Sequence, residues 1–122
     1  MDVSCRVHGP LDPLFEAIME NEFIVTRDFN PLQRYVQSCV MGWSGDVSYL
    51  HHRFCQAPER HMQQYTTPRW WGDQGFIEYN AEPWVYWQDE APGTVVSWKK
   101  HGITEDCRVV CYHGKPKPWE LQ

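Results

Sequence analysis

The apolar positions of the chain fall into short runs that change between strand spacing and helix spacing. Alternating or continuous apolar residues predict three short strands, "DVSCRV" (2–7), "EFIVTRDF" (22–29) and "YVQSCVMGW" (35–43). Between the first two strands, Leu14 and Ile18 have the spacing of one helical face. The N-terminal third therefore predicts a strand, a helix and two further strands.

The rest of the chain continues this mixture of helices and strands. Two short helices are predicted, one over 47–54 and one that begins at Pro58. The stretch "WWGDQGFIEYN" (70–80) predicts a loop that enters another helix, with Asp73 as the N-cap. Three short strands then follow in "WVYW", "TVVSW" and "CRVVCYH". No repeat or linker interrupts the pattern, so residues 1–122 predict one α/β domain whose strand order stays open.

Composition narrows the class of protein. The chain has 122 residues and 42% hydrophobic residues, which is enough for one buried core. A net charge of −5, with acids spread along the chain, disfavours general nucleic-acid binding. No apolar run reaches the length of a membrane span, and the N-terminus lacks the layout of a signal peptide. These features predict a cytoplasmic protein.

The cysteines predict reduced, mostly buried thiols. Their odd number and the lack of CxxC pairs argue against a secreted disulfide framework. The five are Cys5, Cys39, Cys55, Cys107 and Cys111. An alternative is a zinc-binding module in which "HHRFC" (51–55) meets "CRVVCYH" (107–113), since zinc accepts nitrogen and sulfur ligands in a tetrahedron. The spacing matches no short zinc knuckle.

Four stretches, in this order, carry a family pattern: "DVSCRVHGPLDPLF", "QSCVMGW", "GDQGFIE" and "HGKPKPW". Together they resemble the C-terminal part of the GT-A-fold glycosyltransferases of the glycogenin and bacterial lipopolysaccharide galactosyltransferase type, in the nucleotide-diphospho-sugar transferase superfamily. Those enzymes have an Asp-x-Asp strand, an "NSGVM"-like strand, a "DQ" helix start and a closing "HFxGxxKPW" element. The resemblance implies a partial GT-A-like mixed sheet with flanking short helices. It also implies retaining hexosyl transfer from a nucleotide diphosphate-sugar to a sugar or protein acceptor, assisted by Mn²⁺ or Mg²⁺.

The resemblance assigns the metal to residues near both ends of the chain. Asp2 and Ser4 correspond to the Asp-x-Asp pair, and side chains two apart on a strand can bind one hard cation. Ser4 is the weaker ligand because its hydroxyl is uncharged. The metal-binding histidine of the family aligns with Cys111, and His113 follows two residues later. Imidazole suits Mn²⁺ better than a thiol does, which favours His113. A softer metal on Cys111, or no metal, remains an alternative.

The resemblance also implies a donor site. Lys117 corresponds to the lysine that contacts the diphosphate, and Gly114 lets the backbone approach it. Lys115, two residues away, matches no residue of the motif. Gln37 and Ser38 stand at the family's Asn-Ser pair, so they are candidates for contacts with sugar hydroxyls. The alternative for the lysines is a solvated tail that its prolines stiffen.

Asp73 and Gln74 match the "DQ" pair, which implies a catalytic position beside the anomeric carbon. A carboxylate or amide oxygen there can stabilise the positive charge of an oxocarbenium-like transition state. Trp70 and Trp71 are candidates for an acceptor platform, although aromatic residues also build cores.

The resemblance begins at the Asp-x-Asp strand, so the half of the family's fold that binds the base and ribose has no counterpart in this sequence. We therefore expect a chain that is incomplete or weakly active alone, with self-association or a partner chain supplying the missing half. The alternatives are a catalytically inactive derivative that works as a binding or interaction protein, and the zinc module.

Overall fold

The computed structural model describes residues 1–30 and 35–121, and it contains six strands and six α-helices in these ranges. The strands are β1 (Cys5–Val7), β2 (Phe23–Arg27), β3 (Val36–Trp43), β4 (Val85–Tyr86), β5 (Val95–Ser97) and β6 (Val109–Cys111). The helices are α1 (Asp12–Glu20), α2 (Ser48–Gln56), α3 (Pro58–Gln64), α4 (Gly72–Asn80), α5 (Trp87–Glu90) and α6 (Trp98–His101). A 3₁₀ turn over Pro118–Glu120 ends the described chain.

The strands form two three-stranded mixed sheets, in the orders β1-β6-β5 and β3-β2-β4. In the first, β6 pairs with β1 antiparallel and with β5 parallel. In the second, β2 pairs with β3 antiparallel and with β4 parallel. The predicted α/β class is confirmed, but the predicted sheet is two sheets, because α1 carries the chain from β1 in one sheet to β2 in the other.

All six predicted strands exist, although the first begins later than predicted. β1 starts at Cys5, and the residues before it form a turn. The sequence patterns missed α5 and α6. Each of these helices has only four residues and directly follows a strand, so it is too short to show helical periodicity.

One core joins the two sheets. Ile24 and Val40 of the second sheet pack in the same buried cluster as Val109 of the first. Trp87, which is 1% exposed, lies in this cluster and donates its indole N–H to the carbonyl oxygen of Val40 at 3.0 Å. This bond satisfies the polar atom of the largest fully buried side chain.

Among the described residues, the longest helices contain nine residues, and none has the length and apolar character that crossing a membrane requires.

A buried carboxylate fastens α4 to the start of β3. Glu78 is 7% exposed, and its Oε1 accepts hydrogen bonds from the backbone amides of Tyr35 and Val36, both at 2.9 Å. Its Oε2 accepts from the Arg69 guanidinium at 2.6 Å. The guanidinium in turn lies 4.1 Å from the ring centre of Trp70. Both oxygens of the Glu78 carboxylate thus accept hydrogen bonds, and Arg69 supplies the opposite charge that a buried carboxylate needs.

We expect Glu78→Gln to lower the free energy of unfolding by about 2–3 kcal/mol, because it removes the charge that these donors stabilise and leaves Arg69 without a counterion. Urea denaturation at pH 7 measures the change. Glu59→Gln on the exposed surface of α3 is the control and should change stability by less than about 0.5 kcal/mol. Equal midpoints for the two variants would contradict this role of Glu78.

Candidate functional site

Parallel pairing of β5 and β6 brings two sets of polar residues to one edge of the first sheet. Ser97 and Cys111 are register partners at the last positions of the two strands. Beyond Ser97 the chain enters α6, which Ser97 caps by accepting a hydrogen bond from the amide of Lys100. Beyond Cys111 it runs to His113 and Gly114. The carboxyl ends of adjacent parallel strands are a common place for a binding site in α/β proteins.

A cavity of about 740 Å³, called the polar cavity below, opens at this edge. It contains most of the residues that the sequence nominated: Asp2, Ser4, Gln37, Ser38, Trp71, Gln74, Cys111, His113, Gly114 and Lys117. Five further residues complete its lining: Asp28, Asn30, Cys39, Lys99 and Lys100. Stretches from both ends and the middle of the chain therefore meet in one place.

The second sheet contributes three consecutive residues of β3 to the polar cavity. Gln37, Ser38 and Cys39 all line it, although strict strand alternation would turn Ser38 away. The pairing of β2 with β3 shifts register between Ile24 and Thr26. Such an irregularity redirects side chains locally, which explains how neighbours on one strand reach the same cavity.

Asp73 does not act as the predicted N-cap. The N-cap residue of α4 is Trp71, and Asp73 lies within the first turn. The reason is Gly72, whose φ of 58° lets the chain turn into the helix so that the N-cap falls two residues earlier than predicted. Asp73 instead accepts a hydrogen bond from the Ser38 hydroxyl at 2.8 Å, and it lines a separate apolar cavity of about 600 Å³.

Gln74 lines the polar cavity itself. Its Oε1 is buried and has no hydrogen-bond partner among the described residues. A buried amide oxygen without a partner costs about 1–3 kcal/mol, so the fold holds this oxygen in place at a cost in stability. Gln74 is therefore the side chain of the predicted catalytic pair that faces the cavity.

The two tryptophans of the predicted acceptor platform separate. Trp71 lies on the polar cavity with 55% of its surface exposed. Trp70 is half-buried against the core around α4, where it packs edge-on against Tyr79 and stacks on Arg69. Trp70 does not line the polar cavity, so only Trp71 has the position that a platform needs.

The closing segment is not the solvated tail that was the alternative interpretation. Pro118 is buried, and its carbonyl oxygen accepts a hydrogen bond from Arg6 of β1 at 3.2 Å. The amide of Lys117 donates to the Glu120 carboxylate at 2.6 Å, and its ammonium group donates to the carbonyl oxygen of Tyr112 at 3.5 Å. These contacts hold Lys117 at the cavity.

The basic residues raise the positive potential of the polar cavity. Lys99, Lys100 and Lys117 line it together. Burial, and secondly the charge of Lys99, lower the pKa of His113 below its usual value, although Asp28 acts in the opposite direction. These effects favour the neutral form of His113. Its Nε2 shares a hydrogen bond of 2.7 Å with the Ser97 hydroxyl.

The predicted metal ligands do not form one group. Asp2 and Ser4 precede β1 in a turn, so the argument from an extended strand fails, and the Ser4 hydroxyl donates to the Asp2 carboxylate at 2.8 Å. Among the described residues, the only histidine, cysteine or acidic side chains whose ligand atoms gather in a set of three or more are Cys5, Cys39 and Cys111. Sulfur is a poor ligand for Mn²⁺ or Mg²⁺. The donor set therefore does not fit the hard cation that the family resemblance implies.

The ligands of the predicted zinc module also remain apart. Cys55 is exposed on α2, where its sulfur lies 3.5 Å from His51 Nε2. Cys107 is buried with Val110 and Tyr112 in a small cluster of the first sheet. Within the described ranges, neither joins the group that contains Cys111. The five cysteines are all free, and three of them are buried, as the sequence predicted.

The three converging cysteines are called the thiol cluster below. Cys111 Sγ lies 3.3 Å from Cys39 Sγ and 3.5 Å from Cys5 Sγ. Hydrogen bonding with Cys111, followed by Cys39, lowers the pKa of the Cys5 thiol to about 4. Hydrogen bonding with Cys39 and Cys5, together with burial, raises the pKa of Cys111. Of these two thiols, Cys5 is the one whose deprotonation the contacts favour.

Sequence reasoning missed the thiol cluster and the lysines of α6. Cys5 and Cys39 lie far apart in the sequence; strand pairing brings Cys5 to Cys111, and packing between the two sheets brings Cys39, so no local spacing signals the cluster. Lys99 and Lys100 had a usable signal. A serine that follows apolar strand residues and precedes "WKKH" is a helix N-cap pattern.

Comparisons of this chain with protein-family models, with curated proteins and with solved structures found no match. The residues of the polar cavity are therefore the basis on which a function can be proposed.

The close approach of α4 to the preceding loop positions Gln74 and gives a test. A Cβ on Gly75 would lie 2.6 Å from the backbone carbonyl carbon of Trp70. We expect Gly75→Ala to lower the free energy of unfolding by about 1–3 kcal/mol, because the backbone of the loop has to move. Gly9→Ala is the matched control, since its Cβ meets only the flexible end of Arg108. Thermal unfolding of both variants checks the prediction, and an unchanged melting temperature for Gly75→Ala would refute it.

Proposed function

We propose that this chain is a glycosyltransferase-like protein that binds a nucleotide diphosphate-sugar in the polar cavity and transfers its sugar to an acceptor. One observation carries the proposal. The four stretches that resemble the glycosyltransferase family contribute Asp2, Gln37, Gln74 and Lys117 to the same cavity. The resemblance is one of sequence motifs, and this convergence supports it independently, because unrelated motif matches have no reason to meet.

The diphosphate would occupy the basic side of the polar cavity. Lys117 is held by its own backbone and side-chain contacts, so little side-chain entropy remains to be lost when it grips an anion. Gly114 has a φ of 69°, and a Cβ there would lie 2.9 Å from Lys99 Nζ. Glycine at this position therefore leaves room for the Lys99 ammonium group beside the phosphate position.

The sugar would lie toward β3 and the start of α4. Gln37 and Ser38 offer an amide and a hydroxyl, and Gln74 offers its unpartnered amide oxygen. An amide oxygen beside the anomeric carbon would stabilise oxocarbenium-like charge as the bond to the diphosphate breaks. Trp71 provides an exposed ring on which an acceptor sugar can stack.

A requirement for Mn²⁺ or Mg²⁺ stays a prediction, and no step of the proposal depends on it. Asp2 is the residue that would hold such an ion on a bound diphosphate, in the way the family resemblance implies. Free thiols suit the reducing cytoplasm, which is the compartment we propose.

The second candidate function is an inactive derivative of a glycosyltransferase that binds its ligand without turnover. The hydrogen bond between Ser4 and Asp2 favours it, because a hydroxyl stands where the family has a second acidic ligand. This candidate predicts donor binding and no release of nucleotide diphosphate.

Binding is tested by isothermal titration with uridine diphosphate-sugars, with and without Mn²⁺ or Mg²⁺. We expect Lys117→Ala to weaken binding about 10-fold to 100-fold, since it removes a charge-assisted contact worth about 1.5–3 kcal/mol. Lys115→Ala is the matched control, because Lys115 lies two residues away and does not line the cavity. The proposal fails if no nucleotide sugar binds under either condition, or if both variants weaken binding equally.

Turnover separates the two candidate functions. We expect Gln74→Leu to lower kcat for release of the nucleotide diphosphate on the order of 10²-fold, with little change in donor Kd, because its oxygen acts mainly in the transition state. Gln63→Leu on the exposed surface of α3 should leave both constants unchanged. Binding without turnover in the unmodified chain would select the inactive derivative. Equal losses in the two variants would exclude a catalytic position for Gln74.

A further inference from the structure

The thiol cluster joins the two sheets at the wall of the polar cavity. Cys5 and Cys111 are register partners on the antiparallel strands β1 and β6, so their side chains lie on the same face. Cys39 comes from β3 of the other sheet and meets them from the opposite side. All three thiols lie on strands, which fixes their positions more firmly than loops would.

The spacing of the three sulfurs matches one thiophilic ion. With Zn–S bonds of about 2.3 Å, three sulfurs of a tetrahedral site lie about 3.8 Å apart. The sulfurs of the cluster all lie within 4.8 Å of one another, and Cys111 Sγ lies 3.3 Å from Cys39 Sγ and 3.5 Å from Cys5 Sγ. Changes of no more than about 1 Å in these separations would bring the sulfurs to the spacing of a zinc site. A disulfide would use only two of the three and leave the third thiol buried beside it.

The surroundings of the cluster suit thiolate ligands. Gln37 Oε1 lies 2.7 Å from Cys39 Sγ, and the Thr26 hydroxyl lies 3.6 Å from the same sulfur. Gln37 can turn an amide N–H toward the sulfur once the thiol has lost its proton, which is the role of outer partners at metal sites, whereas the Thr26 hydroxyl already donates to the carbonyl oxygen of Val40 at 2.9 Å. Lys99 and Lys117 line the adjoining cavity and offset the net negative charge of a three-thiolate zinc site.

We propose that Cys5, Cys39 and Cys111 form a zinc site, with the fourth coordination position directed toward the polar cavity. Cys39 and Cys111 both line that cavity, so water or an anionic oxygen of a ligand has access to the fourth position. Each thiol that binds as a thiolate releases its proton to solvent. The ion ties β1, β3 and β6 together, so we expect it to stabilise the fold even when no nucleotide sugar is present.

The site is tested on the full chain, purified without chelators, by elemental analysis and by thiol titration after denaturation. We expect about one zinc per chain, five free thiols, and loss of zinc to background in Cys5→Ser. Cys5 is the first choice because it is only half-buried. Cys55→Ser and Cys107→Ala, which alter cysteines outside the cluster, should retain the zinc.

Cobalt substitution provides a second measurement, which does not depend on how much zinc the chain retains during purification. Co²⁺ added to the metal-free chain should give a sulfur-to-cobalt charge-transfer band in the near ultraviolet, whose intensity grows with the number of thiolates. We expect a weaker band in Cys5→Ser and an unchanged band in Cys55→Ser. The proposal is overturned if neither zinc nor cobalt binds, if Cys5→Ser binds zinc as the unmodified chain does, or if two of the five thiols are lost to a disulfide.

Discussion

The Glu78 carboxylate is the contact on which the arrangement of the candidate site depends. It binds the backbone where β3 begins and the guanidinium of Arg69, which precedes α4. A buried charge of this kind is tolerated only when its partners are in place, so it couples the position of the helix to that of the strand. Gln37 on β3 and Gln74 on α4 reach one cavity because of this coupling. The hydrogen bond from Ser38 to Asp73 is a second connection between β3 and α4, nearer the start of the helix.

A second constraint is the parallel pairing of β5 with β6. It sends the chain out of both strands at the same edge, so the lysines of α6 and the closing segment with Lys117 arrive on one side of the cavity. Neither group would form an anion site alone, since exposed lysines are common. These lysines lie at the same cavity as Gln74, whose buried amide oxygen has no hydrogen-bond partner within residues 1–30 and 35–121, so the cavity has a polar side and a basic side. This division suits a ligand that carries a sugar on one end and phosphates on the other.

The cavity and the thiol cluster favour different kinds of metal. The resemblance to glycosyltransferases implies a hard cation held by oxygen, whereas the gathered ligands of this chain are sulfur atoms. Cys111 belongs to both pictures. The resemblance places it at the metal-binding histidine of the family, and in the structure its sulfur contacts Cys5 and Cys39. Zinc on the thiols and a nucleotide sugar in the cavity are compatible, since the sulfurs form the wall and the lysines face the space.

The sequence alone determined the elements and most members of the site. Strand alternation, helical spacing and proline positions predicted the six strands and the longer helices, because these signals are local. The motifs also nominated Gln74 and Lys117, which lie in the polar cavity. The tertiary structure decided what depends on contacts between distant segments: two sheets instead of one, Trp70 packed against the core, and the group of Cys5, Cys39 and Cys111. No local pattern encodes those contacts, because strand register and the packing of the two sheets bring the residues together only in the folded chain.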